Sequence, residues 1–278
     1  MEIAKDAAAT GAAPARDGRV PVVELIATEK TYPSGTRALD AIDLAVGEGE
    51  FVTLLGPSGC GKSTLLKIIA GLTAPSAGRV RWWQQGFEAV GEPGRRLAMV
   101  FQEATLMPWA RVHRNVSLPL DLAGAERAAA ERAVRSALEL VGLEAFARHF
   151  PRELSGGMQM RASIARALVT APNLLLMDEP FGALDEITRN NLDAELAELW
   201  RRRSLTVAFV THSIYEAVFL STRVAVMSAR PGRVVREVAI DEPVPRRESF
   251  RVSQRFAAYC KALSELLAEA SAPVGAQN

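Results

Sequence analysis

The stretch from Phe51 to Gly71, "FVTLLGPSGCGKSTLLKIIAG", is the most informative part of this sequence about its fold. Its first five residues are an apolar run that predicts a buried strand, and leucine and isoleucine recur at helical spacing after Lys62. Between them, "GPSGCGKST" (Gly56–Thr64) fits the pattern G-x-x-x-x-G-K-[ST] in the context it needs, after a strand and at the start of a helix. This order predicts a phosphate-binding loop.

Such a loop offers two kinds of contact to phosphate and one to Mg²⁺. Backbone N–H groups next to its glycines and the helix N-terminus form a cradle for phosphate oxygens. Lys62 would reach the β- and γ-phosphates, and Ser63 would offer its hydroxyl to Mg²⁺. The alternative is a glycine turn that caps a helix and leaves Lys62 in solvent. The nucleotide-binding candidates are Gly56, Pro57, Ser58, Gly59, Cys60, Gly61, Lys62, Ser63 and Thr64.

A second apolar strand ends in two acids. The run "LLLMDEP" (Leu174–Pro180) would deliver Asp178 to the C-terminal edge of a sheet, where α/β proteins bind ligands. There Asp178 is a candidate to hold Mg²⁺ through water, and Glu179 is a candidate to orient or deprotonate an attacking water. A strand end with two solvated acids is the alternative.

Three other side chains are candidates by position. His212 follows the apolar run "LTVAFVT" and should emerge at the same edge, although a structural or surface role is the alternative. Gln102, at the end of "LAMVFQ", could sense Mg²⁺ or the attacking water across a loop. Tyr32, in "KTYPSGTRAL", could stack on an adenine base or be a partly exposed core tyrosine.

Composition limits the partners. The 278 residues suffice for one substantial core with an insertion, and a net charge of +1 without a long basic run argues against nucleic acid. Cys60 and Cys260 lack metal-ligand spacing and fit a reduced cytosolic compartment. The most apolar stretch is interrupted by His212, Glu216 and Arg223, so we do not expect it to span a bilayer.

The combination of motifs resembles the ATP-binding subunits of ABC transporters. Besides the phosphate loop, "LSGGMQMR" (Leu154–Arg161) is similar to the family signature, "GALD" (Gly182–Asp185) to its D-loop, and His212 to its switch histidine. Gln102 and Tyr32 match the Q-loop and the adenine-stacking aromatic, and the motif order covers roughly residues 22–230. Met158 and Met160 depart from the polar or basic residues that many relatives carry there.

The resemblance implies an α/β fold: a P-loop NTPase core with a mixed sheet flanked by helices, an N-terminal antiparallel β part and a helical subdomain insertion. We expect the ATPase domain over 21–278, the helical subdomain at about 103–160 and a last strand and helix at about 231–270. Residues 1–20 are expected to form a disordered tail.

The family also implies a nucleotide site shared by two copies. They would pack head to tail about a two-fold axis, so that Ser155, Gly156 and Gly157 of one copy face the ATP and Mg²⁺ on the phosphate loop of the other. Asp185 would line the seam. The implied catalytic residues are Glu179, His212, Lys62 and Gln102, and the implied Mg²⁺ ligands are Ser63, Gln102 and Asp178. Without the family, Ser155 is simply a helix N-cap.

The inserted helices resemble the family's signalling subdomain, which receives a membrane partner. An apolar patch, Leu106–Trp109, lies there, and by base rate such a patch is core. We expect Trp109 to be partly packed and partly at that interface. The implied partners are a second copy, a membrane-spanning permease and, indirectly, a solute-binding protein, with the chain peripheral at the cytoplasmic face of the membrane.

The "MPW" stretch, the segment "DEITRNNLDAELAELW" and the short C-terminus are most similar to importers of nitrate, sulfonate, taurine and related small solutes, including pyrimidine-precursor systems. One alternative is a soluble ABC ATPase of translation or DNA maintenance, which usually has two cassettes or a long coiled-coil or basic insertion. The other is a nonhydrolysing scaffold, which the presence of Lys62, Asp178, Glu179 and His212 weakens.

Overall fold

The computed structural model describes residues 20–244 and 246–271. The disordered tail expected over 1–20 lies outside these residues except for Val20, which is exposed. No helix in the described ranges combines the length and the apolar character needed to cross a bilayer.

The described strands form two sheets. The first is antiparallel, in the order β2-β1-β4, from β1 (Pro21–Thr31), β2 (Arg37–Gly47) and β4 (Ala77–Trp82). The second has the order β5-β6-β7-β3-β8-β9, and its first five strands run parallel while the last is antiparallel. Its members are β3 (Phe51–Leu55), β5 (Leu97–Val100), β6 (Leu174–Asp178), β7 (Thr206–Thr211), β8 (Arg223–Met227) and β9 (Val234–Ala239).

Several of the helices begin at a residue whose side chain caps them. Ser155 Oγ accepts a hydrogen bond from Met158 N, Asp185 Oδ1 accepts one from Thr188 N, and these residues start the fourth and fifth helices. The helices are α1 (Lys62–Ile69), α2 (Val112–Leu122), α3 (Arg127–Leu140), α4 (Gly156–Leu168), α5 (Glu186–Arg203), α6 (Ile214–Leu220), α7 (Glu248–Arg251) and α8 (Gln254–Ser271).

Two apolar clusters cover the two faces of the second sheet. Alternate residues of β3 show this division, because Phe51 and Leu55 face one cluster while Val52 and Leu54 face the other. The first cluster contains side chains of α2 to α8, and the second contains those of α1 and the antiparallel sheet. Burial at every position of β3, β6, β7 and β8 follows from this covering on both faces.

The mixed sheet flanked by helices, the N-terminal antiparallel part and the helical insertion confirm the predicted fold class. The boundaries of the helical subdomain, about 103–160, stay a prediction.

The last helix, expected within about 231–270, is interrupted in the structure: α7 ends at Arg251, and α8 starts at Gln254. The hydroxyl of Ser253 accepts a hydrogen bond from Phe256 N at 3.1 Å, which begins a new helix instead of continuing the old one.

Candidate nucleotide site

Four parallel strands end at the same edge of the second sheet. The register pairs Leu55 with Thr211, Asp178 with Val210 and Val100 with Met177. The segments that follow these strands carry Gly56, Gln102, Glu179 and His212. Parallel pairing therefore gathers, at one edge, candidates that are separated by up to 156 residues between Gly56 and His212.

The turn of the phosphate loop depends on glycine at position 61. Gly61 has φ 106°, and a Cβ there would lie 2.8 Å from both Ala38 O and Leu39 Cδ2. Inside the loop, Lys62 is only 4% exposed, and its Nζ donates to Gly56 O at 2.8 Å and Pro57 O at 3.0 Å. The structure therefore contradicts the alternative of a solvated lysine.

Cys60 points away from the loop surface into the core. Its side chain is buried, and burial raises the pKa of the Cys60 thiol while the charge of Lys62 opposes the increase. Only the backbone of Cys60 is therefore available to a nucleotide in this arrangement.

Ser63 and Asp178 form the oxygen pair that Mg²⁺ would use. Ser63 Oγ donates to Asp178 Oδ1 at 2.8 Å, and burial raises the pKa of Asp178 while this hydrogen bond lowers it. The described residues contain no group of three or more His, Cys, Asp or Glu that could hold a metal by themselves. The donor set fits Mg²⁺, which is commonly held by one carboxylate together with phosphate oxygens of the substrate.

Glu179 is in contact with two of the other candidates. Nδ1 of His212 lies 2.9 Å from its Oε2, and Nζ of Lys62 lies 3.7 Å from its Oε1. The carboxylate is mostly buried, whereas half of the His212 side chain is exposed. Glu179 has φ 45°, which is a strained conformation for a residue other than glycine. Residues held in such conformations cluster at functional sites.

The second glycine turn, formed by Ser155, Gly156 and Gly157, lies at the start of α4. Ser155 caps α4, and a Cβ on Gly157 would lie 2.8 Å from Thr188 Cγ2. Within the described ranges, no hydrogen bond joins Ser155, Gly156 or Gly157 to the phosphate loop. Ser155 and Gly156 are exposed, as is Asp185, whose pKa is lowered by the backbone hydrogen bond from Thr188.

Gln102 and Tyr32 differ in how they are held. Gln102 is exposed in the loop after β5. Tyr32 is half-buried, shares a hydrogen bond of 3.1 Å with the hydroxyl of Thr64, and has Lys30 Nζ 5.4 Å from its ring centroid. Tyr32 thus combines a contact with the core and a position beside the phosphate loop, and its stacking on adenine stays a prediction.

The contact between the β8–β9 hairpin and the phosphate loop was not predicted from the sequence. Arg230 Nε donates to Gly59 O at 3.1 Å, and Gly232 N donates to Ala38 O at 2.9 Å. A Cβ on Gly232 would lie 2.1 Å from Cys60 O, so only glycine allows the hairpin to approach the phosphate loop this closely. The only signal in the sequence was the turn "RPG", which does not indicate a long-range partner.

An open groove lies on the inserted helices, and its most exposed aromatic side chain is Trp109. The side chain is 77% exposed, so the packed part of the expectation for Trp109 is wrong. The reason is Asn115, fully buried, which donates to Met107 O and Ala110 O and accepts from Met107 N. These bonds hold the segment around Trp109 in a turn against α2. The groove is lined by Met107, Trp109, Arg111, Arg114, Arg148 and Phe150, among others.

The chain is similar to known proteins over most of its length. The family described as ABC transporter matches residues 39–182. A taurine import ATP-binding protein of Rhizobium johnstonii is 49% identical over 210 residues, 76% of this chain and 79% of the relative. An aliphatic sulfonates import ATP-binding protein of Bacillus licheniformis is 44% identical over 229 residues, 81% of this chain and 88% of the relative.

A solved structure shares the architecture. It is a dimeric post-hydrolysis state of an ATP-binding cassette with ADP and phosphate bound, and it aligns with a TM-score of 0.69 at 34% identity. The alignment covers 80% of this chain and all of that chain, 100%.

The fold and the phosphate loop define a P-loop nucleotide-binding ATPase. Within that class, the chain belongs to the ABC transporter family. It is an ATP-binding subunit and hydrolyses ATP.

Proposed function

We propose that this chain is the ATP-hydrolysing subunit that powers a membrane importer of a small solute of the nitrate, sulfonate, taurine or pyrimidine-precursor type. The observation that carries the proposal is the cluster in which Lys62, Glu179 and His212 meet beside the Ser63–Asp178 pair. The relatives named as taurine and sulfonate import proteins support the transport part.

In this proposal, Glu179 orients and deprotonates the attacking water, and His212 holds the Glu179 carboxylate through their 2.9 Å contact. Lys62 supplies positive charge where negative charge develops on the transferred phosphoryl group. Ser63 and Asp178, with Gln102, would hold Mg²⁺, which when bound supplies further positive charge against phosphate oxygens.

The turn formed by Ser155, Gly156 and Gly157, of which Ser155 and Gly156 are exposed, completes the proposal. Because it makes no hydrogen bond to the phosphate loop of its own chain among the described residues, it is free to serve the nucleotide of a second copy. Its N–H groups and the N-terminus of α4 suit a γ-phosphate. ATP then closes a two-fold dimer, with Asp185 at the seam, and hydrolysis allows it to open.

The groove beside Trp109 is the proposed docking site for the permease. Three arginines, Arg111, Arg114 and Arg148, line it, and Phe150 and Trp109 supply aromatic surface. Arg114 is paired with Asp121 at 2.8 Å, and Arg111 lies 4.6 Å from the centroid of the Phe150 ring. A short cytoplasmic helix that carries an acidic residue beside apolar ones would match this surface. The chain would thereby be held at the cytoplasmic face of the membrane, and a solute-binding protein would join through the permease.

The proposal is tested by purifying the tagged chain from gently solubilised membranes of its native cell. We expect a multi-spanning protein and a solute-binding protein to co-purify. Trp109→Ala and Arg114→Glu should reduce that recovery while leaving ATP hydrolysis by the isolated chain intact. Arg132→Glu, an equal charge change on an exposed part of α3, serves as the control. A soluble dimer without any membrane partner would contradict the proposal and favour a non-transport ATPase.

A further inference from the structure

We propose that Arg189 and Glu216 form a clamp that fixes the loops carrying Glu179 and His212 relative to each other, and so sets the rate of ATP hydrolysis. The inference rests on the proposed roles of Glu179 and His212. Arg189 and Glu216 are positioning residues, since each acts through the backbone or hydroxyl of a neighbouring loop.

Arg189, in the first turn of α5, holds the turn that follows Glu179. Its Nη2 donates to Leu184 O at 2.7 Å, and its Nε donates to Phe181 O at 3.3 Å. Gly182 N closes the same turn by donating to Glu179 O at 3.2 Å. The planar guanidinium can reach both carbonyls at once, which a lysine ammonium on its flexible stem does not reproduce.

Glu216, in α6, holds the loop that carries His212. Its Oε2 accepts a hydrogen bond from the hydroxyl of Thr211, and Thr211 Oγ1 in turn accepts one from Ser213 N at 2.9 Å. His212 lies between these two residues. The Glu216 side chain is 5% exposed, so solvent does not compete for these partners.

Arg189 and Glu216 form an ion pair. Arg189 Nε lies 3.4 Å from Glu216 Oε1. The loops after β6 and β7 are therefore joined twice, once by the contact between Glu179 and His212 and once by the ion pair between Glu216 and Arg189. Because Glu216 is buried, separating it from the arginine would leave a carboxylate without a cation in the core, which opposes opening of the clamp.

Hydrolysis requires the base and its partner in a narrow geometry, whereas ATP binding depends on the phosphate loop and α1. Loosening the clamp should therefore lower kcat and leave KM for ATP nearly unchanged. A residue with a purely structural role would lower the stability of the fold without this separation of kcat from KM.

The test measures ATPase kinetics of the full chain with Arg189→Lys, Glu216→Gln and the double variant. Arg189→Lys keeps a cation beside Glu216 but cannot donate to both carbonyls; Glu216→Gln keeps an acceptor for Thr211 but removes the ion pair. Each should lower kcat about 10- to 100-fold with KM within about twofold. The double variant should be no slower than the slower single variant, because the two residues act as one unit.

Glu198→Gln and Arg201→Lys are the matched controls. They make the same changes in a pair 2.8 Å apart on the more exposed end of α5, and they should leave kcat unchanged. Thermal unfolding shows whether each variant is folded at the assay temperature. Should Glu216→Gln not fold, Arg189→Lys alone decides the question.

The clamp is overturned if folded Arg189→Lys has the wild-type kcat, if KM rises at constant kcat, or if the effects of the two changes multiply in the double variant. If the wild-type chain did not hydrolyse ATP, the proposed function would be overturned, and the clamp with it. If the wild-type chain is active and the variants have the same kcat, the clamp is overturned and the proposed function stands.

Discussion

At the scale of single residues, Glu179 shows how the fold maintains an unfavourable conformation. Its φ of 45° costs of the order of 1–3 kcal/mol in general. Glu179 N donates to Val210 O at 2.9 Å, and Glu179 O accepts from Gly182 N at 3.2 Å, so the backbone is held on both sides. In this backbone conformation the carboxylate lies beside Lys62 and His212.

We expect Glu179→Gln to keep ATP binding and lose nearly all turnover. Glutamine retains the size and an acceptor for His212 but cannot take a proton from water, and removal of a general base costs about 10²- to 10⁴-fold. Steady-state ATPase assays combined with fluorescent-nucleotide titration measure both properties. Turnover within about twofold of wild type would exclude Glu179 as the base.

Arg230 is a second single residue with a measurable role. Its hydrogen bond to Gly59 O supports the exposed tip of the phosphate loop. We expect Arg230→Gln to weaken ATP binding by about fivefold with little change in kcat, since a net hydrogen bond is worth about 1 kcal/mol. Arg233→Gln is the control, because Arg233 pairs with Asp40 and not with the loop. Equal nucleotide affinities of the two variants would contradict a role of Arg230 in supporting the phosphate loop.

At the scale of elements, a buried ion pair ties α7 to α5. Arg251 Nη2 donates to Asp193 Oδ2 at 2.8 Å, and Asp193 is fully buried. Burial raises the pKa of Asp193 to about 7; the charge of Glu216 adds to the increase, and Arg251 opposes it. This carboxyl therefore binds its proton more tightly in the folded than in the unfolded chain.

A raised carboxyl pKa stabilises the fold at low pH, and this contribution is lost as the pH rises from about 4 through about 7. The free energy of unfolding of wild type, relative to Asp193→Asn, should therefore fall by at most about 3 kcal/mol between pH 5 and pH 8. Urea denaturation at the two pH values measures the difference. A difference that does not depend on pH would contradict the raised pKa.

The order of strands and helices also determines which site residues could be predicted from the sequence. The phosphate loop, Asp178, Glu179 and His212 were predictable because each lies at the end of an apolar strand or directly after it, and parallel strands end at one edge. The support of Gly59 by Arg230, 171 residues away, was not, since no local pattern specifies so distant a partner. Likewise, the positive φ of Glu179 and the Arg189–Glu216 contact depend on how neighbouring loops pack.

At the scale of the whole molecule, the proposed surfaces are separate. Ser58 and Gly59 of the phosphate loop are exposed, as are Ser155 and Gly156 at the start of α4, and no hydrogen bond among the described residues joins these two segments. The groove at Trp109 lies on the inserted helices. Sequence predicted an interface at Trp109 but not its degree of exposure, because the buried Asn115 that holds this segment resembles any helical asparagine in the sequence.

We propose that ATP binds between two copies of this chain, and light scattering of the Glu179→Gln variant tests this arrangement. We expect a mass near 30.0 kDa without nucleotide and twice that with ATP. Adding Gly156→Asp should prevent the doubling while ATP still binds, because it puts negative charge beside the second copy's γ-phosphate, and a Cβ there has an ordinary contact of 3.5 Å with Leu184. A Glu179→Gln chain that binds ATP at saturation and remains a monomer would contradict the account.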